Sequence, residues 1–167
     1  MNLLSLYARM AKNNRWSNDR LHRAVLQLKR GEFELARVGF FPSLKETLNH
    51  ILAVDLLYLD LLTEGGRGAL AIDEDFAPIA ERLALAQMQA ETDVRLIDFC
   101  RGLSEADLDR RVSTDREQDG LIPERIGDLL AHLFLHQIHH RGQAHTMISG
   151  TSVAPPQLDE FFLDYDR

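Results

Sequence analysis

An all-α chain folded as a four-helix bundle is the architecture this sequence predicts, on three observations. Four long segments place apolar residues at steps of three and four. No segment alternates apolar and polar residues as a half-buried strand does, so no sheet is expected. At 167 residues the chain reads as one domain, 1–167, long enough to bury a core without disulfides or a structural metal. Long amphipathic helices joined by connections of uneven length pack most simply as a bundle.

The first helix is predicted from about Leu3 to Leu28, with Leu4, Tyr7, Ala11, Leu21 and Val25 on its apolar face. The second opens sharply. In "PSLKE", Ser43 with Glu46 three residues later is a capping box, so the helix starts at Leu44. It runs to about Glu64, where Gly65-Gly66 provides a stop. "GGRG" at 65–68 lacks a following Lys-Ser/Thr and succeeds a helix, so it reads as a turn and not a phosphate cradle.

A third helix, about Pro78 to Arg101, carries Leu83, Leu85, Met88, Val94, Ile97 and Phe99. Ser104 and Asp107 have capping-box spacing for a short helix, but residues 102–122 as a whole, including "STDREQDG", are expected to be a polar surface loop. The last long helix is expected to open near Pro123, which suits a first helical position, and to close at Gly150. Pro155-Pro156 prevents continuation, and "QLDEFFLD" is expected to lay Leu158, Phe161 and Phe162 on the body.

Composition excludes several function classes. A formal charge of −7 with a pI near 5.4 argues against nucleic acid and against anionic membranes. No run approaches the roughly 20 apolar residues of a membrane span, and no signal peptide is read at the N-terminus. The single cysteine, Cys100, cannot form an internal disulfide and fits a reducing compartment, so a cytoplasmic protein is expected.

The chemistry-bearing stretch is "HLFLHQIHHRGQAH", residues 132–145, which holds His132, His136, His139, His140 and His145. At roughly 100° per residue, His140 falls within the apolar stripe of the last helix and His136 at its margin. Four apart, the two stack one turn above the other, the spacing with which one helix offers two imidazoles to one metal ion. A third ligand would come from a neighbouring helix, and His50, followed by apolar Ala53, Val54 and Leu57, is the histidine of the second helix. His22, between Arg20 and Arg23, is expected to be solvated. On spacing alone a metal site stands beside the plainer reading, in which these are core and rim histidines satisfied by ordinary hydrogen bonds.

These residues carry a resemblance. "HLFLHQIHHRGQ" resembles the H-x-x-x-H-x-x-H-H-R-G-Q signature of the DinB/YfiT-like family, a family of metalloenzymes unrelated to the polymerase of the same name. "NNRWSNDRL", through Asn14, Trp16 and Asn18, is similar to that family's first-helix motif. "SLKETLNHILAVDLLYLDLL" resembles its second helix, and "PPQLDEFFLDY" its closing stretch. The resemblance implies an up-down-down-up bundle, commonly a homodimer, with a divalent metal held by His50, His136 and His140. It leaves His139 as a rim residue and His132 as a pocket residue. Arg141 and Gln143 belong to the signature, and their plain reading is to tie neighbouring helices together. Trp16 reads as a core or pocket-wall aromatic.

Three neutral imidazoles leave a cation its full charge and open positions. Zn, Ni, Fe and Cu all suit such ligands. Characterised relatives imply an S-transferase using a low-molecular-weight thiol, such as bacillithiol or mycothiol, and an electrophilic second substrate. One alternative is a metal-dependent hydrolase with Asp55, Glu46 or His132 as general base. Others are a non-catalytic, stress-induced metal- or ligand-binding bundle, and a structural dimer without metal. Cys100, on an apolar helix position, reads as an inert buried thiol and not a nucleophile.

Overall fold

Helix α1, Leu3–Leu26, starts where the Asn2 side chain accepts a hydrogen bond from the Ser5 backbone N–H at 2.9 Å. This computed structural model describes residues 2–64 and 77–165. Helix α2, Leu44–Glu64, opens at the predicted cap: the Ser43 hydroxyl accepts from the Glu46 N–H at 3.2 Å and donates to its carboxylate at 3.0 Å. Gly65-Gly66 and the "GGRG" turn lie outside the described residues.

Helix α3 spans Arg82–Gly102 and starts four residues later than predicted. The Asn49 amide explains the delay. It donates to the Ile79 carbonyl at 3.0 Å and accepts from the Ile79 N–H at 2.7 Å, pinning that segment in an extended form. The short helix α4, Glu105–Asp109, has the Ser104–Asp107 capping box.

Residues 102–122 are not a plain loop. Strand β1, Arg111–Asp115, pairs antiparallel with β2, Leu121–Arg125, around a 3₁₀ turn at Glu117–Asp119. Gly120 turns the chain at φ +71°, a conformation that a side chain disfavours. Val112 and Thr114 are buried on alternate positions of β1, a period-2 signal too short to stand out beside the helices. Pro123 therefore sits in a strand opposite Ser113, tolerated because a two-stranded ribbon leaves each strand with an outer edge. The last long helix, α5, begins at Ile126 and ends at Ser149.

Hydrogen bonds between the helices fix their directions. Asn14 meets Asp93 and Arg82 reaches the Val25 carbonyl, so α1 and α3 are antiparallel. Tyr7 meets Gly127 and Asn14 meets Arg141, so α1 and α5 run parallel. Thr47 lies against Met147 and Gln137 reaches Ile51, so α2 and α5 are antiparallel. The course is up-down-down-up. Each of α1 and α2 packs against both α3 and α5, which puts the α1–α3 seam opposite the α2–α5 seam.

The core comes in two apolar clusters, one around Leu96, Leu130 and Phe134, the other around Leu21, Leu48, Leu52 and Ile148. A buried polar layer also crosses the interior. Asn14, Asn18 and Gln89 donate to the Asp93 carboxylate at 2.9–3.3 Å, and Gln89 and Gln137 donate to Asp55 at 2.8 and 2.7 Å. Arg141 donates to the Asn14 and Asn18 side-chain oxygens. Burial raises the pKa of both carboxyls, and that of Asp93 is raised further by the Asp55 charge. Burial lowers that of Arg141 to about 10, opposed by the two aspartates, so it stays charged. The layer is neutral when Arg141 balances one carboxylate and the other carboxyl keeps its proton.

Two expectations fail where polar side chains face inward. Leu83, Met88 and Val94 are exposed, because the inward face of α3 carries Gln89, Thr92 and Asp93 beside Leu85 and Leu96. His22 is not solvated but 4% exposed, since it follows Asn14, Asn18 and Leu21 at helical steps. Neither of its ring nitrogens has a hydrogen-bond partner. At the tail, a 3₁₀ turn at Glu160–Phe162 forms, with Arg9 of α1 holding Glu160 and Asp164. Leu158 is half-buried against the core, whereas Phe161 is exposed.

Burial holds the pKa of His22 down at about 4 from 6.5, so its charged form is disfavoured in the folded state. The associated stability is fully present above pH 6.5 and is lost as pH falls through about 4. His22→Leu is therefore expected to raise the melting temperature at pH 7, and its advantage over the parent to grow by about 3 kcal/mol between pH 7 and 4. Urea titrations across that range read the gap. Arg141→Met, which strips the layer of its cation, is expected to cost about 3–5 kcal/mol in the same assay at pH 8, and less at pH 5, where the carboxyls are protonated.

Candidate metal centre

Three histidines from two antiparallel helices converge at the α2–α5 seam. His50 comes from the second turn of α2, and His136 and His140 from successive turns of α5. One ring nitrogen from each lies within 4.8 Å of the other two, and the Nε2 atoms of His50 and His136 are 3.1 Å apart. Ring centroids are 5.0 Å apart for His50–His136, 4.5 Å for His50–His140 and 4.3 Å for His136–His140.

The register behind this convergence is set by the residue after His136. The Gln137 amide donates to the Ile51 carbonyl at 3.0 Å and to Asp55 at 2.7 Å, locking the two helices together one residue from each of two histidines.

The rings are held in the form that binds metal. Burial depresses His50 and His136 to about 4, with His140 adding to both shifts. Burial also lowers His140, opposed by its hydrogen bond to Gln143. All three shifts favour the neutral imidazole, the form that can give a nitrogen lone pair to a cation in place of the His50–His136 hydrogen bond. The Nδ1 atom of His140 lies 2.9 Å from Gln143 Oε1, so Nδ1 carries the proton and Nε2 faces the cluster. Bonds of roughly 2.0–2.1 Å to one ion put ligand nitrogens about 3–4 Å apart, so the cluster is compatible with a divalent cation. Among the described residues, no carboxylate or thiol joins this set.

An aromatic pair that the sequence reading did not single out covers the cluster. Phe41 packs 4.4 Å from the His50 ring and 5.6 Å from His140, and Phe40, 78% exposed, sits 6.3 Å from His140. The signal was "GFFP" just ahead of α2: a Cβ on Gly39 would come within 2.6 Å of the Met147 side-chain end and 3.0 Å of the Phe41 carbonyl, so the loop passes close to α5 there and a larger residue would require Met147 to shift. Two open depressions flank the cluster. One, about 470 Å³, is bordered by Phe41, Pro42, Lys45, Glu46 and His50. The other, about 390 Å³, is bordered by Val38, Gly39, His139 and Gln143.

The remaining sequence candidates divide. His132 is exposed, one turn before His136 with ring centroids 6.0 Å apart, and stacks on Tyr58 at 5.8 Å. Beyond it the hairpin brings in Arg116, bonded to Glu124 at 2.9 and 3.0 Å. His139 is exposed and bonded to Gln143 at 2.9 Å, and His145 bonds the Pro156 carbonyl at 2.9 Å. Asp55 does not reach the cluster: it is fully buried in the polar layer, with both oxygens hydrogen-bonded. Trp16 lies at the opposite, α1–α3 seam, where Arg20 covers its ring at 4.8 Å. Cys100 is buried, and burial pushes its pKa up to about 12, which removes it as a nucleophile. The largest cavity described, about 570 Å³, also lies at that far seam and contains none of the three histidines.

Comparison with known proteins gives three findings. The family model described as the DinB family matches residues 2–166. Protein DinB of Bacillus subtilis (strain 168) is 22% identical over 150 residues, covering 87% of this chain and 86% of that protein. The crystal structure of a DinB-like protein of Bacillus subtilis, YjoA, superposes with a TM-score of 0.64 at 17% identity, over 87% of this chain and 91% of the other.

Gln143 is the residue whose removal leaves the ligands in place while freeing one of them to rotate. Gln143→Leu is expected to weaken zinc affinity about 10- to 100-fold, with little change in melting temperature of the metal-free protein. A chelator competition titration measures this.

Proposed function

Because the chain belongs to the DinB family, we propose that it is a divalent-metal-dependent enzyme whose ion is held by His50, His136 and His140, and that its reaction is the transfer of a low-molecular-weight thiol to an electrophile. The observation that carries this reading is the convergence of three neutral imidazoles at a seam flanked by open depressions. A divalent cation in that cluster would supply the charge that favours a thiolate over a thiol.

The chain's own residues have separate tasks. Gln143 fixes the tautomer of His140. Phe40 and Phe41 cover the rings and lower the water content beside them, which strengthens electrostatic interactions there. Lys45, on the same depression as His50, offers a positive charge to an acidic group of the thiol. His132 is the exposed imidazole one turn away, in position to accept the proton that the thiol releases. The electrophile would enter from the depression beside His139.

The hydrolase reading keeps Glu46 and His132 as general bases and loses Asp55. Thiol dependence separates the readings. Protein purified without chelator is expected to hold about one transition metal per chain, lost in His136→Ala and His140→Ala. With Zn, Ni or Fe restored, it should conjugate a chromogenic electrophile only when a small thiol is added. Turnover of esters without thiol would favour the hydrolase. A folded protein that holds metal and turns over neither would be a binding bundle, and one that refuses metal would overturn the proposal.

A further inference from the structure

The seam opposite the histidines is also open. Between α1 and α3 lies the cavity of about 570 Å³, and none of the residues assigned to the metal centre borders it. Its middle is Trp16 from α1 facing Ala90 and Val94 from α3, over a floor made by Gln89 and Asp93 of the polar layer.

The antiparallel order of the two helices sorts its charges. Lys12 and Arg15 of α1 lie toward the same end as Asp98 and Arg101 of α3, whereas His22 and Leu26 lie toward the end marked by Ala86. Arg23 is held by Asp19 at 2.9 Å. Lys12, Arg15 and Arg101 make no ion pair with the described residues; Asp98 lies at their end, and Asp93, hydrogen-bonded to Asn14, lies in the floor beneath them. In a protein of net charge −7, three unpaired cations at one end of a half-apolar groove form a local anion-attracting field.

At the other end stands His22, buried, neutral and with neither ring nitrogen bonded. A buried polar group left without partners carries a cost that a ligand's hydrogen bond would relieve. No hydrogen bond holds the imidazole, and it borders the groove, so one made to a ligand there would replace none. It sits seven residues from Arg15 on the same helix, roughly 10 Å along the axis.

We propose that the α1–α3 groove is a second ligand site, for an elongated organic anion whose charge is held by Lys12, Arg15 and Arg101, whose apolar or aromatic body lies along Trp16, Ala90 and Val94, and whose far end hydrogen-bonds His22. Its occupant is separate from the substrates of the histidine cluster. Arg20 stacked on one face of Trp16 fixes the ring, leaving the rest of the indole as the wall. The site is independent of the metal reading, since no histidine ligand borders it.

Trp16 is the sole tryptophan, so its emission reports on this groove alone. The probe is toluidinonaphthalene sulfonate, an elongated aromatic anion, with uncharged phenylnaphthylamine as its control. On the full-length protein, with and without metal, the sulfonate is expected to quench Trp16 saturably, with at least tenfold weaker binding by the uncharged compound and with affinity falling as salt rises. Arg15→Glu combined with Arg101→Glu should weaken binding at least tenfold. His22→Leu should weaken it about fivefold while raising the melting temperature, a pairing that a merely structural histidine would not produce. Ala90→Phe, which fills the groove from an exposed position, should abolish the quenching in protein of unchanged melting temperature. Equal binding by the charge-reversed variant, or no saturable quenching in folded protein, would overturn the site. So would sedimentation showing a dimer that Ala90→Arg dissociates, because a second copy would then occupy the groove.

Discussion

A positive charge buried at the centre of the bundle sets the terms for its surroundings. Arg141 is 4% exposed and charged at neutral pH, and four buried side chains from three other helices answer that charge. Asp55 and Asp93 supply the opposite sign, from α2 and α3. Asn14 and Asn18 turn their oxygens to Arg141 and their amides to Asp93, so α1 becomes the bridge between cation and acid. A charged layer of this kind adds little net stability over an apolar one, because desolvation offsets the attraction. Its effect is on register. Apolar side chains tolerate a slide of one turn between helices, whereas hydrogen-bonded carboxylates do not.

That register is what assembles the histidines. Gln137 and Arg141 each follow a cluster histidine by one residue, so the inward face of α5 that binds the polar layer and the adjacent face that presents imidazoles are rigidly coupled. The Gln137 bond to the Ile51 carbonyl does the same for His50 on α2. Three rings on two helices can meet within 4.8 Å only if the helices cannot slip, and the buried amides prevent the slip.

Much of this was legible in the sequence, and the failures have a common cause. The caps at Ser43 and Ser104, the four long helices among the described residues and the positions of His136 and His140 follow from local rules about orphan N–H groups and helical spacing. Leu83 and Val94 are exposed because apolar residues do not mark the inward face of α3, and His22 is buried because its sequence neighbours Arg20 and Arg23 say nothing of the face its own side chain takes. Here that face carries asparagine, glutamine, aspartate and arginine over several turns, and a periodicity that counts only apolar residues is rotated away from it. The hairpin was missed for a different reason: five-residue strands with two buried side chains give too short a period-2 signal, although Asp119-Gly120 is a recognised turn pair. Phe40 and Phe41 were invisible as site residues because the loop reaches the cluster through tertiary packing.

The electrostatic state of the layer bears on the cluster as well. Arg141 adjoins His140 in the chain, and an uncompensated guanidinium there would oppose a divalent cation in a medium of low dielectric. Asp55 and Asp93 both oppose the loss of charge that burial imposes on Arg141, so the guanidinium is compensated within the layer. Burial raises the pKa of both carboxyls, and a single proton shared by the pair would leave the layer without net charge. A divalent cation held by the three neutral imidazoles would keep its full charge, since no carboxylate or thiol among the described residues joins the ligand set.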